Sequence, residues 1–316
     1  MSETLLSALI LAGGLLKSTL PLMILGVIAA ELIVTLGFVN KLSFIARPIT
    51  SFSHLQPECG TSFLVAFGSP VAANAMLAQY HEKGMLSKKE MFLASLLNSF
   101  PSVLLHWRSM LPPLIPLLGT IGLIYFLLFV LTGLVKTTLL MIASRFLLPA
   151  RPAPKLSLET KPRPPLKEAF KQSLKSSWKV SRRMIAITVP TMLVVSILIE
   201  VGVFNSLASY LGGVSAFLPI PISGIGIIVS MFGHPIAAYT VASNLVAVGE
   251  ISAKGVVLSL LIGGIFANAV FLLRSSIPNY MGIFGLKTGV QITLLSSAIW
   301  NSIIIILIVI LAIFWQ

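Results

Sequence analysis

One phrase of this chain occurs twice. Phe67-Gly68-Ser69-Pro70-Val71-Ala72-Ala73 returns 165 residues later as Phe232-Gly233-His234-Pro235-Ile236-Ala237-Ala238. Over 67–96 against 232–261 ten of thirty positions are identical without a gap, among them Gly84/Gly249, Ser87/Ser252, Lys89/Lys254 and Leu93/Leu258. Upstream, Gly37, Asn40 and Leu42 meet Gly202, Asn205 and Leu207 at the same offset. In a membrane protein, a Gly/Pro-interrupted apolar segment at corresponding points of two halves points to a binding site between them.

Composition supplies the membrane. The chain is 56% apolar and 10% charged, with a mean hydropathy of +0.99, against about a quarter charged residues in a soluble domain. There is no polar surface to cover a water-soluble fold. Met1-Ser2-Glu3-Thr4 lacks the basic start of a signal peptide, so the chain is expected to be mature as it stands. The single cysteine, Cys59, excludes an intramolecular disulfide and a cysteine-based zinc site. There is no aspartate, so no Asp-dependent triad, aspartyl dyad or Asp-held magnesium is available.

The net charge of +13 is uneven: Arg145 to Arg183 holds eleven Lys/Arg against two Glu, whereas 184–316 holds three against two. Beside membrane spans such a surplus marks the cytoplasmic face and anionic headgroups, and a nucleic-acid partner is not expected. Six prolines between 149 and 165 break any helix there. The domain reading is a first unit at 1–148, a Pro-rich basic linker at 149–166 and a second unit at 167–316. After the linker, Lys167, Lys171, Lys175, Lys179 and Arg183 recur every four residues beside a Phe170, Leu174, Trp178 stripe. This is a helix that either runs solvated into the next span or lies on headgroups.

A span needs about 20 apolar residues. Each half offers a first span (18–38 and 184–204), a shorter interfacial piece (41–57 and 206–218) and a Gly/Pro-broken segment (60–80 and 220–247). An interrupted span (88–107 and 252–273) and a long apolar helix (119–148 and 285–315) complete it. With the linker inside, the basic loop 81–89 and Lys41 and Arg47 also fall inside, so 60–80 enters and leaves on one side as a re-entrant hairpin. Non-helical backbone at that depth requires a protein or water lining. The matching loop 248–254 is nearly neutral, as an outside loop would be. Three true crossings per half then invert the second unit relative to the first. Nineteen of 22 basic residues fall inside on this plan, with Lys17, Arg108 and Lys254 outside. The expected fold is an all-α, multi-pass protein of the cytoplasmic membrane with two inverted-topology repeats. Each has about three transmembrane helices, an interfacial helix and a re-entrant helical hairpin. The linker is expected on the cytoplasmic side and both termini outside.

Candidate site residues follow from the breaks. Half-helices meeting at a tip expose free amides and carbonyls that attract polar or charged groups, which selects Gly68, Ser69, Pro70, Gly233, His234 and Pro235; a packed kink is the competing role. Asn98-Ser99-Phe100-Pro101 interrupts the fourth piece of the first half, and Gly263-Gly264 stands at the equivalent point of the second, followed by Asn268. A buried amide needs a partner, either a solute or a neighbouring helix. Asn74 and Asn244, just beyond the tips, carry the same pair of readings. Glu31 and Glu200 lie in the first spans and are ion-coupling candidates, or else partners of a basic residue. Glu58 would cap the first hairpin. His106-Trp107-Arg108 and Arg274 are expected as interfacial anchors, with contact to an anionic substrate the alternative for the arginines. No nucleotide loop, zinc-protease helix or serine-hydrolase elbow occurs, so no catalytic residue, resident metal or cofactor is expected and the chain is not read as an enzyme.

With these residues in view, the chain resembles the "nucleoside recognition", or Gate-domain, family of membrane proteins. The resemblance is carried by Phe67-Gly68-Ser69-Pro70 with Ala72-Ala73, by Leu97-Asn98-Ser99-Phe100-Pro101, and by Arg108 with Leu114-Ile115-Pro116-Leu117-Leu118-Gly119. It covers nearly the whole chain as two Gate units. Similar units occur in the membrane part of ferrous-iron transporter B, in spore maturation proteins and in concentrative nucleoside transporters. The resemblance implies a small polar solute, a nucleoside or related molecule, held between hairpin tips and helix breaks near Ser69, Asn98, His234 and Asn268, with alternating access driven by protons or sodium. A metal-ion conduit using Cys59, His234, Glu31 and Glu200, and a non-transporting scaffold or sensor that uses the basic linker, are the other two readings. The chain lacks the extra peripheral helices of the nucleoside transporters and the GTPase domain of the iron transporter. A homo-oligomer is compatible with the pattern, and no face for it is marked.

Overall fold

A computed structural model describes residues 2–35, 46–67, 69–150, 165–202 and 218–315. Among them the chain is all helix, without a strand. In chain order the helices are α1 (Ser2–Thr35), α2 (Ala46–Phe52), α3 (Pro57–Ala66), α4 (Pro70–Glu82), α5 (Lys88–Leu97), α6 (Ser99–Leu105), α7 (Trp107–Leu147), α8 (Leu166–Glu200), α9 (Gly224–Gly233), α10 (Pro235–Ala247), α11 (Ala253–Phe271), α12 (Ile277–Phe284) and α13 (Leu286–Phe314). A π-helical turn, Leu272–Ser276, joins α11 to α12.

Among the described residues, three helical stretches are long and apolar enough to cross a membrane: the run Lys88–Leu147, then Ala253–Phe271 and Leu286–Phe314. The 29 residues of α13 rise about 43 Å, more than the roughly 30 Å of a bilayer's hydrocarbon core. Their outer faces carry Leu123, Leu127, Leu131 and Leu134 on α7 and Ile305, Ile306, Val309, Ile310 and Ile313 on α13, all exposed. The helices that contain the expected first spans are longer than the apolar windows 18–38 and 184–204. Helix α1 starts at Ser2, and α8 starts at Leu166 and runs unbroken from the basic stripe into the apolar segment that ends at Glu200. The two pack together, with Ala8 and Ala12 on α1 and Ala169, Ser173, Ser177 and Ser181 on α8 buried. Small residues every fourth position let two helix backbones approach closely. Lys167, Lys171 and Lys175 stay exposed. The interfacial piece 206–218 and the linker lie almost wholly outside the described residues; the piece 41–57 contains the short α2 and the start of α3.

Local structure at matched positions is set by matched residues. Helix α4 spans Pro70–Glu82 and α10 spans Pro235–Ala247, the same bounds at an offset of 165. Both begin with Pro, whose missing N–H costs nothing at the first turn. Both are capped from the preceding side chain: Ser69 Oγ accepts from Ala72 N at 3.2 Å, and His234 Nδ1 accepts from Ile236 N at 3.2 Å. The following turns place Gly84 and Gly249 at φ 72° and 75°. Ser87 and Ser252 then cap α5 and α11, accepting from Glu90 N and Gly255 N at 3.2 Å each.

Each long closing helix follows a sharp elbow. Gly119 breaks α7 at φ 52° and Gly285 separates α12 from α13 at φ 78°, backbone states that only glycine enters without strain. The arms of each elbow then press together: a Cβ on Gly122 would stand 2.7 Å from the Leu114 carbonyl oxygen, and one on Gly289 2.4 Å from the Tyr280 carbonyl carbon. The arm before each elbow packs into the other half. Leu114, Leu117 and Leu118 join Ile225, Ile227, Tyr239 and Leu258 in one core. Tyr280 and Phe284 of α12 pack against the core of Phe63, Phe67, Leu77, Leu97 and Phe100.

One expectation fails here. The second interrupted span was placed to break at Gly263-Gly264, but α11 runs unbroken from Ala253 to Phe271. A glycine inside a helix costs only about 1 kcal/mol, whereas proline removes the bond to the carbonyl four residues back and crowds it. Pro101 acts on Leu97, where α5 ends. The second half has no proline there. Its next one, Pro278, acts on Arg274, inside the π-helical turn, so the irregularity falls ten to eleven residues later than expected. Gly263 instead permits close packing: its Cβ would lie 3.1 Å from Met231 Cβ and 3.2 Å from Ile228 Cα.

Candidate functional site

The break after Leu97 turns a polar pair into the core of the first half. Asn98 is 1% exposed, Asn74 1% and Ser62 0%. Asn98 Nδ2 donates to Ser62 Oγ at 2.8 Å and to Asn74 Oδ1 at 3.2 Å. Ser62 Oγ donates to the Ala73 carbonyl at 2.9 Å. Asn74 Nδ2 donates to the Tyr280 hydroxyl at 3.1 Å, across 206 residues of sequence. Thus both helices of the first hairpin, the helix break and α12 of the second half meet in one group. The Asn98 amide oxygen is buried and has no hydrogen-bond partner among the described residues. An acceptor left empty in a dry core is costly, and a ligand donor or a water would satisfy it.

An open cleft of about 230 Å³ lies on the hairpin side of this group, lined by Ala66, Phe67, Pro70, Ser102, Leu105, His106 and Ser109. It sits where the tip of the first hairpin meets α6. Ser99 faces the other way: its hydroxyl donates to the Leu96 carbonyl at 2.7 Å, and its oxygen accepts from Lys136 Nζ at 3.1 Å. Lys136, 4% exposed on α7, also reaches Ser296 Oγ of α13 at 2.6 Å and lies 5.9 Å above the Trp300 ring. A line of rings, Trp300–Phe129 at 5.0 Å and Phe129–His106 at 5.3 Å, leads back to the cleft.

The remaining candidates are placed apart. Asn268 on α11 donates to Ser297 Oγ and Asn301 Oδ1 of α13, each at 3.0 Å, an interhelical clasp. His234 is half-buried at the start of α10, engaged in capping, and Gly233 and Pro235 beside it are exposed. Phe232 stacks on Phe266 at 5.6 Å. Asn244 is half-buried near the end of α10, and Glu200 is exposed as the last residue of α8. Gly68 lies outside the described residues, as does the side chain of Glu31. Glu58 falls in the first turn of α3. No group of three or more His, Cys or acidic side chains is gathered among the described residues.

Sequence reasoning missed Ser62, Tyr280, Lys136, Ser296 and Trp300. Lys136 left a signal, as the only charge between Ile121 and Ser144. Tyr280 left none, because its place depends on the elbow that carries α12 across to the first hairpin.

The chain is similar over nearly its whole length to uncharacterized proteins of Methanocaldococcus jannaschii. One is 29% identical over 302 residues, 95% of either chain. A second is 25% identical over 297 residues, 92% of this chain and 95% of the other. A third is 29% identical over 273 residues, 84% of each. No family model matches the chain, and no solved structure does.

Proposed function

We propose that this chain is a secondary-transporter-like protein of the cytoplasmic membrane. Two inverted Gate repeats would hold a small polar solute, a nucleoside or related molecule, at the first hairpin and the Asn98 break. The hairpins are re-entrant, the linker faces the cytoplasm, the termini face outward, and hairpin movement against the closing helices gives alternating access driven by an ion gradient.

The observation that carries the reading is the buried Ser62–Asn74–Asn98 group. It leaves the Asn98 carbonyl empty and draws its fourth member, Tyr280, from the other half. Amide edges of this kind match the donors and acceptors of a base or sugar hydroxyl. A solute that replaces the Asn74–Tyr280 bond would couple its own binding to separation of the halves, which is what alternating access at a repeat interface requires. The matched caps, turns and elbows of the two halves support the repeat.

The test is thermal stabilisation of the detergent-purified protein by a nucleoside and nucleobase panel, with and without sodium and at pH 5.5 and 7.5, followed by uptake into proteoliposomes. A ligand at 100 times its Kd stabilises by about 2.7 kcal/mol. Asn98→Leu is expected to abolish both stabilisation and uptake while the protein still purifies as a folded species. Normal uptake by Asn98→Leu would refute the site, and a flat panel with the intact protein would refute the solute class.

A further inference from the structure

Lys136 is a buried basic side chain, 4% exposed, that the solute site does not use. It sits near the middle of a membrane-length helix. The groups that face it are Ser99 from α6 and Ser296 and Trp300 from α13, all uncharged. Other titratable groups on the helices packed around α7 are engaged elsewhere. Glu90 of α5 accepts from Ser87 and Gln56, and Lys254 of α11 donates to the Ala312 carbonyl. The ring of Tyr239 on α10 lies 6.4 Å from that of Tyr125, Lys287 starts α13 nine residues before Ser296, and Arg145 near the end of α7 lies over Phe52 of α2. No carboxylate bonds Lys136 among the described residues. A charge in hydrocarbon without a counter-ion is retained for function by default.

The two serines differ in a way that matters. Ser99 has committed its proton to the Leu96 carbonyl, so toward Lys136 it only accepts. Ser296 makes no other side-chain hydrogen bond among the described residues, and its hydroxyl can serve either sense. Against an ammonium, Ser296 Oγ accepts an N–H. Against a neutral amine, the same 2.6 Å contact is kept by rotating the Ser296 hydroxyl so that it donates to the nitrogen lone pair. The cradle therefore holds both protonation states without moving a heavy atom.

We propose that Lys136 is the proton-carrying residue of this protein, with Ser296 as the positioning residue that accommodates both forms. An Nζ–H bond breaks, its electron pair stays on nitrogen, and the proton passes to a water molecule that reaches the amine when the hairpins move. Reprotonation from water after the hairpins move completes the cycle. No other co-reactant is needed. The proposal rests on the transport reading, and it shifts ion coupling from Glu31 and Glu200 to the first half's own closing helix.

The experiment uses the full chain in proteoliposomes with tritiated uridine and adenosine, in two modes. Counterflow into vesicles loaded with the unlabelled solute requires no net proton movement, whereas accumulation against a gradient does. Lys136→Met, which never holds the proton, and Lys136→Arg, which never releases it, are expected to keep counterflow within about threefold of wild type. Both are expected to lose pH-driven accumulation by more than tenfold, and Ser296→Ala is expected to lie between. Accumulation by Lys136→Arg equal to wild type would overturn the proposal. In parallel, melting of the purified proteins is followed from pH 5.5 to 9.5, where the wild-type profile should carry a step that both Lys136 variants lack. Three superimposed profiles would also overturn it, whatever the vesicles show. Absence of wild-type counterflow with either solute would count against the transport reading instead, while the melting profiles still decide on Lys136.

Discussion

The first hairpin with its helix break and the second hairpin with its unbroken helix are built from matched residues, and they differ most where the chemistry would be. At the shared offset Ser62, Asn74, Asn98, Ser99 and Pro101 are replaced by Ile227, Tyr239, Gly263, Gly264 and Phe266. Four polar positions and a proline become two apolar residues, a tyrosine and two glycines. The first group forms a buried hydrogen-bonded cluster. The second forms part of a core in which Ile227, Ala238, Val256, Leu258 and Leu260 are 0% exposed. Caps and turns, by contrast, are kept in both. Residues that fix backbone geometry are thus repeated, while the buried polar cluster belongs to the first copy and the matching part of the second packs in an apolar core.

The comparison can be broken most severely at the elbows, which both halves need. Gly289→Ala places a methyl 2.4 Å from backbone atoms of Tyr280 that cannot rotate away; a loss of about 3 kcal/mol, the upper range for overpacking, is expected. Gly122→Ala, at 2.7 Å, should cost somewhat less. The lowered melting temperatures should rank in that order, and an unchanged Gly289→Ala melt would mean that the elbow opens freely.

The next effect converts one copy toward the other. Gly263→Asn would give the second half the amide of the first, but against Met231 and Ile228, so it should destabilise by about 1–3 kcal/mol and add no ligand response. A gain of nucleoside-induced stabilisation in Gly263→Asn would mean that the second hairpin is a latent site. The reciprocal Asn98→Gly should cost less in stability, about 1 kcal/mol, because hydrogen bonds inside membrane proteins average about 0.6 kcal/mol each. It should nevertheless remove the whole ligand response.

The smallest effects lie at the shared caps. Ser87→Ala and Ser252→Ala should each cost about 1 kcal/mol. The Ser87 change should be the larger, because its hydroxyl also donates to Glu90 Oε2 at 2.8 Å and completes a capping box, whereas Gly255 offers no side chain in return. Equal melting shifts would show that the box adds nothing beyond a simple cap.

What the sequence made legible was what neighbouring residues decide. The closing helices, expected at 119–148 and 285–315, are observed at 120–147 (after the Gly119 break) and 286–314, because an apolar run and a glycine stop are local signals. The caps at Ser69, His234, Ser87 and Ser252 are equally local but were not expected; Glu58 was the cap expected, and it falls in the first turn of α3 instead. The break at Gly263-Gly264 was misread because glycine permits a bend without imposing one, while proline four residues downstream imposes it. Of the candidate site, Asn98 was chosen for lying at a break and Asn74 for lying just beyond a tip, and the two are hydrogen-bonded neighbours. Tyr280 and Ser296 could not be chosen. Each is ordinary in its own segment and reaches the first half only through an elbow that turns the chain back.

That elbow has a consequence for how the protein is made. Residues 57–105 leave the ribosome complete in sequence, yet the arm that covers them, α12, begins only at Ile277. At 5–20 residues per second, synthesis of the intervening chain takes about 10–35 s, during which Asn74 has no hydroxyl to bond and Phe63 and Phe67 lack their cover. The nascent first half must be sheltered by lipid or by the insertion machinery for that time. A chain released before residue 277 would leave Asn74 without its Tyr280 partner and the Phe63 and Phe67 core without the cover of α12.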